Sequence, residues 1–203
     1  TMKMCFEPEN LLNASPATVS RAGIIYVSDT VLGWLPPVQT WLDNRRPKEA
    51  EILKPLFEKI GSAMLEFVRN QLKTAMFVPE VAAMQSMCLL LESVLKQSVK
   101  DNEILEDTIY ERVFLWALTW TAGGMLELPE RIRFDEKLRT LSSMCPYQDD
   151  DNPDLVYESF VDMDSGDWTL WASMIPEFNY DPAMEFSQAF VPTLDSTRYQ
   201  NLL

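Results

Sequence analysis

Residues 102–124 read NEILEDTIYERVFLWALTWTAGG, and this stretch decides the fold class. Its apolar side chains recur every three or four positions, which is the spacing of one helix face, at Leu105, Ile109, Val113, Trp116, Ala117 and Trp120. Gly123 and Gly124 end the pattern, as glycines commonly do at helix C-termini. The stretch therefore predicts an amphipathic helix, opened at Asn102, that buries its apolar face in a core.

Segments on both sides carry the same helical spacing. A segment interrupted by prolines covers residues 32–43, and further patterns follow in residues 53–73, 79–95 and 134–143. Four or five amphipathic helices in so short a span predict a compact helical bundle. The predicted fold class is therefore mainly α.

The N-terminal flank of this bundle carries strand signals. Residues 2–6 are short and apolar, and residues 24–27 are β-branched and aromatic without charge, as in a strand buried on both faces. Between them, Ser15 in front of a proline predicts an N-capped helical turn over residues 16–21, closed by Gly23. The flank is therefore predicted to run strand, short helix, strand.

The C-terminal flank differs in character. Residues 149–151 form an acidic loop, and the apolar runs 155–161 and 168–171 flank residues 162–167. A Ser-Gly pair between two apolar runs predicts a β-hairpin. Residues 193–203 have the pattern of the first turns of another helix. Because the chain opens without a start Met and closes on this unfinished helix, we expect a piece of a longer polypeptide.

Composition excludes several classes of function. The 203 residues carry 17 Lys and Arg against 31 Asp and Glu, a net charge of −14, so binding to nucleic acid or to an anionic membrane surface is not expected. No apolar run reaches the length of about 18 residues that a membrane-spanning helix needs. The chain has no His, which removes Ser-His-Asp and Cys-His sites and most catalytic zinc sites. No metal site is predicted.

The cysteines and glycines set further limits. Cys5, Cys88 and Cys145 lie too far apart for a CxxC pair and are expected to be reduced, buried thiols. Neither GxxxxGK[ST] nor GxGxxG occurs among the six glycines, so the chain alone has no loop that cradles a nucleotide phosphate.

Arg21 is the one candidate catalytic residue. It lies at the end of the predicted one-turn helix, between the two predicted strands, with no acidic residue close to it in sequence. An unpaired guanidinium at the edge of a sheet is free to bind an anion from outside. The structural alternative is that Arg21 caps its short helix or pairs with Glu7 or Glu9.

Two adjacent strings carry a family resemblance: FEPEN at residues 6–10 and NASPATVSRAG at residues 13–23. They strongly resemble dynein heavy chains, at the end of the second AAA+ module of the motor ring. The similarity continues in the same order over nearly the whole chain, through residues 32–34, 111–120, 133–139 and 191–199. The sequence of these strings resembles axonemal more than cytoplasmic heavy chains.

The resemblance implies a division of the chain. Residues 1–30 would be the C-terminal part of the large α/β subdomain, with remnant strands of its sheet. Residues 31–145 would be the small helical lid, residues 146–189 an acidic connector with the β-hairpin, and residues 190–203 the start of the next module. The phosphate loops and Walker B acids would lie upstream and downstream, so the fragment alone is expected to be inactive.

The resemblance also implies roles for single residues. Arg21 matches the arginine-finger position, presented in trans to nucleotide in the first module, and Glu7 and Asn10 fall in the sensor region. ATP and Mg²⁺ would be cofactors of the intact motor, and none is expected for the fragment. Implied partners are the neighbouring AAA+ modules of the same chain, microtubules through distant parts of the heavy chain, and dynein intermediate and light chains. The implied location is the cytoplasm and its cytoskeleton, in the axoneme of a cilium or flagellum.

A second hypothesis comes from a different class of protein. A free-standing helical scaffold would bind protein partners through a surface rich in Trp and Met and would have no catalytic role. A phosphate loop in the flanking sequence of the full-length chain would decide for the motor.

Overall fold

The computed structural model describes residues 4–26, 33–100, 104–148, 154–178 and 190–202, with the backbone alone for residues 97–100. The chain divides into two compact units, Thr1–Leu32 and Gly33–Leu203, called the N-terminal unit and the helical unit. None of the helices in the described residues is both long and apolar enough to span a lipid bilayer.

The described residues of the N-terminal unit contain a short helix, α1, at Pro16–Arg21. The Ser15 hydroxyl accepts a hydrogen bond from the Thr18 N–H at 3.2 Å, which confirms the predicted N-cap. The two predicted strands are wrong for their described residues, because residues 4–6 and 24–26 have irregular, exposed backbone. A strand is stabilised by hydrogen bonds to a neighbouring strand, and none pairs with either segment within the described residues of this unit. Residues 2, 3 and 27 lie outside them.

The helical unit is mainly α, as predicted. Its helices in the bundle are α2 (Leu35–Asp43), α3 (Pro47–Leu56), α4 (Ser62–Gln71), α5 (Glu80–Lys100), α6 (Asp107–Thr121) and α7 (Leu128–Leu141). A π-helical turn, Phe57–Gly61, joins α3 to α4 and begins two residues after Pro55.

Three predicted helix starts were wrong by several residues. Helix α3 begins before residue 53 and α7 before residue 134, and each has a proline in its first turn, where no intrahelical N–H partner is lost. Helix α6 begins at Asp107 rather than at Asn102, which lies outside the described residues.

Helix α6 forms the centre of the core. It packs against α3, α5 and the hairpin that follows, and its side chains from Val113 to Leu118 are all buried. The predicted amphipathic face was therefore too narrow, because Phe114, Leu115 and Leu118 are as buried as the predicted residues. Burial of each such side chain stabilises the fold by about 1.5–3 kcal/mol.

The predicted hairpin is confirmed, with shorter strands. Strand β1 (Ser159–Val161) pairs antiparallel with β2 (Trp168–Leu170), and Phe160 lies opposite Thr169. One 3₁₀ helix, Val156–Glu158, precedes β1 and another, Trp171–Met174, follows β2. Residues 156–174 are called the connector hairpin below.

The predicted C-terminal helix is present as α8 (Leu194–Leu202). The Thr193 and Ser196 side chains form a reciprocal cap at its start, each hydroxyl accepting the other residue's backbone N–H. Helix α8 packs against the 3₁₀ helix Trp171–Met174. The predicted acidic loop at residues 149–151 lies outside the described residues.

Candidate site in the N-terminal unit and the lid junction

The predicted site residues Glu7, Asn10 and Arg21 are all exposed in the N-terminal unit. Arg21 occupies the last turn of α1 and forms no ion pair with any residue that the structure describes, so the pairing with Glu7 or Glu9 is not seen there. The Asn10 side-chain oxygen accepts a hydrogen bond from the Leu12 N–H at 3.2 Å, which fixes a local turn. The catalytic and sensor roles of these residues stay predictions.

Four contacts attach the connector hairpin to the helices around it. The first contact is made by Asp135 on α7. Asp135 is buried, and its carboxylate accepts hydrogen bonds from Arg139 Nε at 2.7 Å and from the Val156 N–H at 2.7 Å. Arg139 in turn donates to the Pro146 carbonyl at 2.6 Å. A charge-assisted pair of this kind is stronger than a neutral hydrogen bond. Asp135 therefore joins α7 to the start of the connector hairpin.

Tyr157 makes the second attachment. Its buried hydroxyl donates to the Gly123 carbonyl at 3.0 Å, and its ring packs edge-on against Trp120 and under the guanidinium of Arg131. Burial raises the pKa of Tyr157 far above its ordinary value, so the hydroxyl stays a donor. Gly123 is required here, because a Cβ at that position would lie 2.3 Å from the Tyr157 hydroxyl.

The turn of the hairpin makes the third attachment. Arg112 on α6 donates to the Gly166 carbonyl at 2.5 Å and to the Asp167 carboxylate at 2.8 Å. Gly166 has φ +73°, and a Cβ there would lie 2.6 Å from Ile109 Cδ1. Only glycine combines this left-handed backbone with so close an approach to α6.

Arg198 on α8 makes the fourth attachment. The side chain is 9% exposed and forms ion pairs with Glu158 of the connector hairpin and, at 3.1 Å, with Asp195 of its own helix. The end of the hairpin's first 3₁₀ helix is thus joined to α8 by a largely buried charge pair.

A separate buried cluster fixes the turn between α2 and α3. The Glu49 carboxylate is fully buried and lies 3.1 Å from Arg45 Nη2 and 2.5 Å from Arg46 Nη2, while the Tyr110 hydroxyl donates to it at 3.1 Å. Burial by itself would raise the pKa of Glu49, but the hydrogen bond from Arg46 and the charge of Arg45 outweigh it and lower that pKa. Burial and the charge of Glu49 raise the pKa of Tyr110.

The cysteines divide in a way that the sequence did not predict. Cys88 is buried, and its burial raises the pKa of the thiol to about 12. Cys145 is half-buried with a pKa raised to about 11, again by burial. Cys5 is exposed, so its predicted burial is wrong, because the apolar segment around it has no strand partner to cover it.

The scaffold hypothesis requires exposed Trp and Met side chains, but several of these side chains are buried. Met84, Met87 and Trp171 are buried in the core. A groove of about 570 Å³ does open between α5, the end of α6 and α8, and Leu89, Trp120, Met125 and Leu202 line it.

Among the residues that the structure describes, no His, Cys, Asp and Glu side chains group as metal ligands.

Comparison with known proteins gives the family. The model of the "Dynein heavy chain AAA lid domain" family matches residues 53–173, from within α3 to the 3₁₀ helix after β2. The chain therefore belongs to the dynein heavy chain family and contains its AAA lid domain, as the resemblance predicted. The matched region includes both strands of the connector hairpin.

Individual relatives agree with this assignment. The chain is similar to the Dynein gamma chain, flagellar outer arm, of Chlamydomonas reinhardtii, with 45% identity over all of the chain and 4% of that protein. It is 34% identical to Dynein axonemal heavy chain 2 of Homo sapiens over all of the chain and 4% of that protein. Identity to Dynein axonemal heavy chain 5 of Rattus norvegicus is 32%, over 99% of the chain and 6% of that protein. The chain thus spans a small part of the length of these relatives.

Sequence reasoning missed the four attachments of the connector hairpin. The pair Asp135 and Arg139 has helical i,i+4 spacing and was visible in the sequence. Its other partner, the Val156 N–H, is 21 positions away, and Arg198 is 40 positions from Glu158. No local pattern indicates contacts over such separations.

Proposed function

We propose that this chain acts within a dynein motor ring in two ways. It supplies Arg21 as an arginine finger to the nucleotide of the preceding AAA+ module, and its lid transmits the state of that nucleotide toward the following module. The observation that carries the proposal is the exposed guanidinium of Arg21, without an ion pair among the described residues, inside the string that resembles the finger region of dynein heavy chains.

The finger role follows from the chemistry of phosphoryl transfer. Negative charge on the transferred group spreads over its oxygens in the transition state, and an arginine aimed at those oxygens stabilises it. Such fingers raise hydrolysis by about 10³–10⁵ in well-studied NTPases. ATP and Mg²⁺ would be bound by the intact motor, and Glu7 and Asn10 would lie in the sensor region of this module.

The lid role is supported by the attachments in the helical unit. Helix α7 reaches the connector hairpin through Asp135, α6 reaches it through Arg112, and α8 reaches it through Arg198. Each attachment includes a charged side chain that is buried or half-buried, at Asp135, Arg112 and Arg198, and hydrogen bonds to such groups are stronger than neutral ones. A displacement of the lid helices would therefore carry the connector hairpin with it.

The partners and location follow from the family. We infer contacts with the neighbouring AAA+ modules of the same heavy chain, with microtubules through distant parts of that chain, and with dynein intermediate and light chains. The axonemal and flagellar names of the relatives favour the axoneme of a cilium or flagellum as the site of action.

The finger role is tested in the full-length heavy chain. Arg21→Ala should lower single-turnover ATP hydrolysis by about tenfold or more with an unchanged melting temperature, because a finger acts on the chemical step. Arg21→Lys should rescue only partly, since an ammonium lacks the planar fork of guanidinium. Arg69→Ala is the matched control, because that arginine is an exposed lid residue paired with Glu80. A destabilised Arg21→Ala protein with normal hydrolysis would refute the finger role.

A further inference from the structure

Helix α8 has little apolar surface with which to attach itself. Its buried residues are Thr197 and Arg198, while Tyr199 is exposed. Leu194 and Leu202 at its two ends are only partly buried against the core. A helix with so narrow an apolar face gains little stability from burial, so the buried arginine adds to the packing of α8 on the 3₁₀ helix Trp171–Met174.

Arg198 has two carboxylate partners in very different settings. The Asp195 side chain is 73% exposed and lies on α8 itself, so that pair cannot attach α8 to anything else. The Glu158 side chain is 34% exposed and belongs to the connector hairpin. Exposed ion pairs contribute little to stability, whereas losing one partner of a buried pair is much more costly. Of the two ion pairs, the one with Glu158 is therefore the one that joins α8 to the connector hairpin.

The two residues before Glu158 are hydrogen-bonded to the lid. The Val156 N–H is bound by Asp135 on α7, and the Tyr157 hydroxyl is bound by the Gly123 carbonyl after α6. Three successive residues of one 3₁₀ helix thus contact α7, the end of α6 and α8. A shift of either lid helix reaches Arg198 through a single short segment.

We propose that Arg198 and Glu158 form the joint through which α8 follows the movement of the lid, with Arg198 as a positioning residue. The inference rests on the proposed lid role and names the pair on which its last step depends. When the pair is broken, α8 separates from the connector hairpin while the lid keeps its fold.

The joint is tested by amide hydrogen exchange on the 203-residue chain. Arg198→Ala and Glu158→Gln should each raise exchange in α8 by about tenfold or more and leave α6 unchanged, because local opening is governed by local contacts. The double variant should exchange no faster than either single variant, since both remove the same interaction. Asp195→Asn is the matched control and should change exchange in α8 by less than about threefold.

A charge exchange separates the pair from a general effect on folding. Glu158→Arg combined with Arg198→Glu should restore most of the protection of α8, whereas either change alone should abolish it. Additive single variants, or an Asp195→Asn effect as large as that of Glu158→Gln, would overturn the proposal. Because this test uses neither nucleotide nor Arg21, its failure would leave the finger role untouched, and failure of the finger would leave the joint untouched.

Discussion

Removal of the Asp135 carboxylate should destabilise the lid more than any surface change on the same helix. The carboxylate is buried and accepts hydrogen bonds from both the Val156 N–H and Arg139. Asp135→Ala therefore leaves one buried backbone donor without a partner, which costs about 1–3 kcal/mol. It also removes one member of a buried ion pair, which costs about 3–5 kcal/mol when the remaining charge stays uncompensated.

The structure places the expected loss in the free energy of unfolding near the lower end of the range for a buried ion pair. The Arg139 side chain is 21% exposed and keeps its hydrogen bond to the Pro146 carbonyl, so its charge is partly compensated. We expect a loss of about 3 kcal/mol, which lowers the melting temperature of a unit of this size by about 6–12 °C. Asp135→Asn keeps an acceptor for Val156 and should lose about half as much.

Thermal unfolding followed by circular dichroism tests this expectation on the 203-residue chain. Glu136→Ala is the matched control, because Glu136 is the exposed acidic neighbour on α7 and such changes stay within about 0.5 kcal/mol. An Asp135→Ala melting temperature equal to that of Glu136→Ala would show that the buried carboxylate does not hold the connector hairpin.

Three further predictions concern single groups and the fragment. The pKa of Glu49 is lowered below its ordinary value of 4.5, so its stabilising effect is complete above that pH and is lost as the pH falls through the folded-state pKa. The Glu49→Gln variant should therefore be less stable than the unchanged chain at pH 7 and should lose less stability between pH 7 and pH 3. An equal fall in melting temperature for both proteins over that pH range would contradict this. Iodoacetamide at pH 8 should label exposed Cys5 well before Cys88, whose pKa is raised to about 12; equal rates measured by mass spectrometry would be inconsistent with a buried thiol. The fragment should not turn over ATP, because it contains no phosphate loop, and turnover above a buffer blank in a contaminant-controlled sample would refute this.

Local chemistry in the sequence predicted much of the fold. Ser15 followed by proline predicted the start of α1, and the Ser-Gly pair predicted the hairpin turn, because both signals act through the backbone of adjacent residues. The helical spacing around Val113 predicted α6 but understated its burial. The absence of any charged residue from Val113 to Thr121 was the signal that this helix is buried on all sides.

The errors have a common physical cause. The strands expected at residues 2–6 and 24–27 depend on partners, and strand propensity alone cannot form a ladder. The contacts of Arg198 with Glu158, and of Arg112 with Asp167, join residues that the folded topology brings together from 40 and 55 positions apart. The proposed role of Arg21 came from resemblance, since its side chain is exposed and forms no ion pair with any described residue.

The central claim, that Arg21 stabilises the transition state of ATP hydrolysis in a neighbouring module, is tested most directly by ligand affinity in the full-length heavy chain. ADP with aluminium fluoride mimics the transferring phosphoryl group, whereas ADP alone lacks it. Arg21→Ala should weaken binding of ADP with aluminium fluoride by about tenfold or more and leave the affinity for ADP almost unchanged, because the finger acts only on the developing charge. An equal loss for both ligands, or no loss for either, would contradict the finger role.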